Sequence, residues 1–129
     1  MPKKILVVDD EQDILAVITA RLEQKGYQVI AASDGLEGLE KAEKEKPHLI
    51  LVDVSIPQMN GFQMVQLLQQ YESLKTIPVI VITASRQKDE AAWREQVGVE
   101  QFILKPFEAK ELLEKVEEAL HGHRSRHAA

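Results

Sequence analysis

Five short apolar runs punctuate the chain at similar spacing: Ile5–Val8, Val29–Ala32, Leu49–Val54, Val79–Thr83 and Phe102–Leu104. They are rich in Val and Ile and more continuous than alternating, the pattern of strands covered on both faces in a parallel sheet. The stretches between them carry helical period and predict helices over Glu11–Lys25, Leu36–Lys46, Phe62–Tyr71, Lys88–Val97 and Glu108–Leu120. In the first of these, Ile14, Leu15, Ile18 and Leu22 form one stripe that predicts a core-facing side, and Gly26 follows as a stop signal. The second is bounded by Ser33-Asp34-Gly35 and by Pro47, and its charges in Glu37–Lys46 read as a solvated face. The fourth has only Ala91, Ala92, Trp93 and Val97 as apolar residues, which predicts a thin, partly exposed helix. Trp93 there reads equally well as a partner contact or as a ring half-buried on its own sheet. Five strands alternating with five helices predict an open α/β sheet with few permitted topologies.

Length and composition narrow the class. With 129 residues the chain suits one domain. Its 44% hydrophobic and 29% charged residues are those of a globular protein and not of a disordered one. Sixteen Lys and Arg against 21 Asp and Glu give a net charge of −5, which disfavours a phosphate-backbone binder. Cysteine is absent, which excludes disulfides, thiolate metal sites and Cys nucleophiles. The N-terminal apolar run stops after four residues at Asp9-Asp10, too short for a signal peptide or a membrane span. The expectation is a soluble, cytoplasmic domain over residues 1–121. Residues 122–129 lose the helical pattern and read as a basic tail or the start of a linker. His121, His123 and His127 lack a ligand spacing with acidic partners, and Arg124 and Arg126 are too few to suggest nucleic-acid contact.

In open α/β sheets, sites form outside the carboxyl ends of the strands. The first strand ends in Asp9-Asp10-Glu11, the third in Asp53, the fourth in Thr83-Ala84-Ser85 and the fifth in Lys105-Pro106. Each residue has an ordinary reading: Asp9 or Asp10 capping the next helix, Asp53 in a turn, Thr83 at a strand end, Lys105 in solvent. Their convergence on one edge points elsewhere. Crowded carboxylates repel unless a cation joins them, and Mg²⁺ suits oxygen ligands. A carboxylate can also accept a phosphoryl group, a transfer that asks mainly for positioning and charge neutralisation.

ILVVDDE at Ile5, DVSIPQMNG from Asp53, VITAS from Val81 and LKPF from Leu104 resemble, in order and spacing, the receiver (CheY-like) domain of two-component response regulators. The resemblance runs from about Lys4 to about Leu120. It implies a flavodoxin-like (βα)5 three-layer sandwich with a five-stranded parallel sheet in order 2-1-3-4-5. It implies that Asp53 accepts a phosphoryl group from a sensor histidine kinase or a phosphotransfer protein. Mg²⁺ would be held by Asp9, Asp10, Asp53 and the backbone carbonyl of Ser55. Thr83 and Lys105 would contact the phosphoryl oxygens, Lys105 across a cis bond to Pro106. Phe102 matches the switch aromatic that turns inward as Thr83 moves, reshaping the face of the fourth helix, fifth strand and fifth helix for an output protein or a homodimer. Such a chain is a signalling module, not an enzyme, supporting only its own phosphorylation and slow autodephosphorylation.

Several positions depart from the family pattern. Ser55 and Ser85 flank the path of hydrolytic water and bear on the lifetime of the phosphorylated form. Glu100-Gln101 precedes Phe102 where the winged-helix transcription factors usually carry two acidic residues, and Phe102 lacks the hydroxyl of the commoner Tyr. Rival readings are weaker. An aspartyl-nucleophile phosphatase would want a second carboxylate at the place of Ser55, and a nucleotide-binding enzyme would want a Gly-rich loop after the first strand. A pseudo-receiver would be expected to lack one of the acidic, Thr or Lys residues. The chain could also be the receiver portion of a longer DNA-binding regulator, with no DNA or membrane contact of its own.

Overall fold

The structure, a computed structural model, describes residues 2–53, 61–83, 91, 93–95, 97–99 and 101–122. Five strands, β1 (Lys4–Val8), β2 (Gln28–Ala32), β3 (Leu49–Asp53), β4 (Val79–Thr83) and β5 (Gln101–Leu104), form one parallel sheet in the order β2-β1-β3-β4-β5. The helices are α1 (Gln12–Gln24), α2 (Gly35–Glu45), α3 (Gly61–Leu68), α4 (helical backbone at residues 91, 93–95 and 97) and α5 (Ala109–Glu117). A π turn over Glu118–Gly122 prolongs α5. The strand order is the flavodoxin-like one that the sequence motifs imply.

Strand side chains alternate between two apolar layers, as the period of two demands. Leu6, Val8, Ile50, Val52 and Val81 pack with Leu39, Ala42, Met64, Val65 and Trp93 of α2, α3 and α4. Ile5, Val7, Leu49, Leu51, Ile80, Ile82 and Ile103 face α1 and α5 through Leu15, Ile18, Leu22, Leu112 and Val116. Burial on both faces is why these runs are continuous in Val, Ile and Leu. Within the predicted α1 stripe, Leu15, Ile18 and Leu22 are buried and Ile14 is half-buried. At the start of α2 the Asp34 carboxylate accepts from the Glu37 N–H at 2.8 Å. The Glu37 carboxylate in turn accepts from the Ser33 N–H at 2.8 Å, a reciprocal cap. That backbone bond, helped by Lys41, holds the Glu37 carboxyl below its ordinary pKa.

Two elements differ from their sequence expectation. Helix α3 ends at Leu68 and not at Tyr71, because the chain turns there to bury Leu74: Tyr71 O accepts from the N–H groups of Leu74 and Lys75 at 3.0 Å each. Helix α4 is better anchored than a thin, exposed helix. Trp93 is 2% exposed and Val97 is buried, and the Trp93 ring meets Phe62 of α3 edge-on at 5.0 Å and 74°. Of its two readings, Trp93 therefore takes the packed one. The polar residues Arg94 and Glu95 occupy the outer side, which is what made the segment look sparse.

Candidate functional site

Register brings the polar strand ends together. Val8 pairs with Val52, so Asp9 and Asp53 leave adjacent strands at the same level. Thr83 pairs with Leu104, and the Lys105 N–H donates to the Thr83 carbonyl at 2.8 Å. Asp9, Asp53 and Thr83 are buried polar side chains, at 0%, 1% and 1% exposure. Carboxylate oxygens of Asp9, Glu11 and Asp53 lie within 4.8 Å of one another. The Lys105 ammonium stands 2.5 Å from Asp53 Oδ2 and 3.2 Å from Glu11 Oε1. Its peptide bond to Pro106 is cis, as the sequence motif implies.

The electrostatics of this cluster are unbalanced. Among the described residues three carboxylates against one ammonium leave this cluster a charge of −2, and two like charges at such a separation repel by about 3–4 kcal/mol at an effective dielectric of ~20. Asp9 registers the imbalance. Burial raises its carboxyl pKa, the Glu11 N–H donating to Oδ1 at 2.9 Å lowers it, and the Asp53 charge raises it again, with a net value of about 6. Lys105 moves upward: burial alone would lower it, but the hydrogen bond and charge of Asp53 outweigh that.

Among the described residues Asp9 Oδ2 is buried without a hydrogen-bond partner, a costly state for a carboxylate oxygen. Oxygen-only donors, an orphaned lone pair and a net charge of −2 fit a hard divalent cation such as Mg²⁺. The capping reading of Asp9 also holds in part, since its Oδ1 takes an N–H at the entrance to α1.

The assembled rim, the strand order and the four ordered motifs are those of one family, and residues 5–117 match the family described as the response regulator receiver domain. The chain belongs to that family. Among similar proteins, this receiver is 40% identical over 120 residues to the alkaline phosphatase synthesis transcriptional regulatory protein PhoP of Bacillus subtilis, covering 93% of this chain but 49% of PhoP. It thus spans about half the length of that relative. Against protein PilH of Pseudomonas aeruginosa it is 34% identical, covering 92% of this chain and 98% of PilH. The chemotaxis response regulator CheY4 of Vibrio cholerae superimposes with a TM-score of 0.87 at 31% identity, over 93% of this chain and all of that one. The receiver domain of the sensor histidine kinase PA1611 from Pseudomonas aeruginosa has a magnesium ion coordinated in its active site cleft. It matches with a TM-score of 0.85 at 27% identity, over 93% of this chain and 98% of that one. The receiver domain is a signalling module with a phosphoryl-accepting role.

Of the site residues named from the sequence, the receiver brings together Asp9, Asp53, Thr83 and Lys105. Asp10 is exposed beside the carboxylate trio and is not part of it. Ser55 and Ser85 lie outside the described residues. Phe102 is buried on β5 opposite Val81, two residues before Thr83. Two participants went unassigned in the sequence. Glu11 enters the trio from its exposed side and pairs with Lys105, and nothing in the run Asp9-Asp10-Glu11 tells which acid reaches the ammonium. Gly61 starts α3 so close to β3 that a Cβ would stand 2.6 Å from the Asp53 carbonyl oxygen. Its only sequence signal is its place at the end of the Asp53 motif.

Proposed function

We propose that Asp53 is the phosphoryl acceptor of a Mg²⁺-dependent switch, loaded from phosphohistidine on a sensor histidine kinase or a phosphotransfer protein. A carboxylate oxygen of Asp53 forms the bond to phosphorus as the donor's phosphorus–nitrogen bond breaks, and the released imidazole is left neutral once its ring protons rebalance with solvent. Asp9 and Asp53, joined by Asp10 exposed beside them and by the backbone carbonyl of Ser55 as the motif implies, would hold Mg²⁺, which when bound neutralises the crowded carboxylates and the phosphoryl oxygens. Lys105 already lies on Asp53 and is placed to pair with a phosphoryl oxygen, and the Thr83 hydroxyl to donate to another. The observation that carries this reading is the Asp53–Lys105 pair set in an acidic trio whose Asp9 Oδ2 has no hydrogen-bond partner among the described residues. The magnesium-bearing cleft of the similar PA1611 receiver supports the choice of ion.

A phosphoryl group adds about −1.5 to −2 charge and three acceptor oxygens. It draws Thr83 toward Asp53 and favours the buried position that the Phe102 ring occupies, and the face built by α4, β5 and α5 changes shape for an output protein or a second copy. The domain extends over residues 1–121, with 122–129 as a tail or linker start, and works in the cytoplasm. No helix among the described residues is long and apolar enough to cross a membrane. The length of PhoP, of which this chain spans half, favours as a second reading the receiver portion of a longer DNA-binding regulator.

Incubation with acetyl phosphate and Mg²⁺, followed by intact mass, tests the acceptor. One added phosphoryl group is expected on the wild type, none on Asp53→Asn, and none on the wild type in excess EDTA. Labelling that persists in Asp53→Asn moves the acceptor elsewhere. Steady turnover of unrelated phosphomonoesters would favour a phosphatase.

A further inference from the structure

The Phe102 ring has a handle that its family role does not explain. The Arg94 guanidinium carbon of α4 lies 5.3 Å from the ring centroid, over the face of the ring. Phe102 is 9% exposed and packs with Trp93, Val97 and Val99, whereas Arg94 is exposed, so the ring is enclosed between core and cation. The placement is fixed locally. Trp93, the neighbour of Arg94, is anchored in the core against Phe62. The chain then closes tightly toward β5: the Gly98 N–H donates to Arg94 O and the Val99 N–H to Trp93 O, both at 3.2 Å. Gly98 itself has φ +69, a conformation other residues adopt only with strain.

We propose that Arg94 is a positioning residue that latches the Phe102 ring inward through a cation–π contact, tying the position of α4 to the state of the switch. The proposal rests on the reading of Phe102 as the phosphorylation-responsive aromatic. A phenylalanine has no hydroxyl to hydrogen-bond at its edge, so the ring face is its only polar handle. A cation over an exposed-side face biases the ring by about two- to fivefold. Because coupling is reciprocal, a partner that draws Arg94 away releases the ring, and a ring held inward fixes Arg94 for the partner.

The test is fluorine NMR on unphosphorylated protein containing 4-fluorophenylalanine, with the Phe102 signal assigned by its loss in Phe102→Leu. Arg94→Met keeps the aliphatic stem and removes the charge, and Arg94→Lys keeps a charge. Arg94→Met is expected to raise the ratio of outward to inward rings about two- to fivefold and to slow acetyl phosphate labelling in proportion to the inward rings lost, with Arg94→Lys closer to wild type. In a Phe102→Leu background the Arg94→Met effect on labelling is expected to vanish. A ring signal unchanged in Arg94→Met, or equally displaced in Arg94→Lys, overturns the latch. A wild type that takes up no phosphoryl group overturns the acceptor reading instead, and the ring populations still decide the latch.

Discussion

Asp9 is held in a buried position that suits a cation better than a proton, and its titration gives the sign of a pH effect. With a folded pKa of about 6 against an ordinary 3.8, the metal-free fold binds this proton more tightly than the unfolded chain does. That contribution is complete below about pH 4 and is lost as pH rises through 6, an effect on the order of 3 kcal/mol. Asp9→Asn keeps an oxygen for the Glu11 N–H and removes the charge. In EDTA the variant is expected to melt several degrees above wild type at pH 7.5 and close to it at pH 4, by calorimetry; a lower melting temperature at pH 7.5 would mean that the buried charge is not a burden. Lys105 offers a second test at the same scale. Its ammonium is the one positive group in the described cluster, so Lys105→Met should slow acetyl phosphate labelling by about a hundredfold. The same variant should hold Mg²⁺ at least as tightly as wild type in a metal titration, because it leaves the carboxylates less neutralised.

At the scale of elements, the helices that support the rim carry the constraint. Adding a methyl at Gly61 would force α3 away from the Asp53 backbone, since the clash is with main chain and not with a yielding side chain. Gly61→Ala is expected to cost about 1–3 kcal/mol in urea unfolding and to slow labelling at Asp53; unchanged values would show that the close approach is relieved without consequence. Trp93→Ala should cost about 3–5 kcal/mol, the loss of a buried indole between α3 and α4, whereas a surface tryptophan would cost a fraction of that. These two residues also mark where sequence pattern stops being informative. The strands were legible because Ile5–Val8 and Leu49–Asp53 are buried on both faces and so cannot alternate with polar residues. The α1 stripe was legible because Leu15, Ile18 and Leu22 repeat with helical period. Burial of Trp93 was not, since one large ring does in α4 what several aliphatic residues do elsewhere. Nor was the reach of the exposed Glu11 side chain to Lys105, which depends on the backbone at the entrance to α1 and not on residue type.

For the whole molecule, a five-stranded parallel sheet between two apolar layers serves to hold charged groups together that would otherwise separate. The order β2-β1-β3-β4-β5 puts β1 and β3 side by side, and with them Asp9 and Asp53, while β4 and β5 deliver Thr83 and Lys105 to the same rim. The four motifs made that convergence readable, because they fall at the ends of consecutive strands in a fold whose sites lie at those ends. What the motifs do not carry is the balance of charge, which follows from distances among the carboxylates and Lys105. The most direct test of the account locates the phosphoryl group itself. After acetyl phosphate loading in Mg²⁺, borohydride reduces an aspartyl phosphate to homoserine, and peptide sequencing by mass spectrometry reads its position. The expected result is homoserine at residue 53 and nowhere else; homoserine at residue 9 or 10, or none after loading, would contradict it.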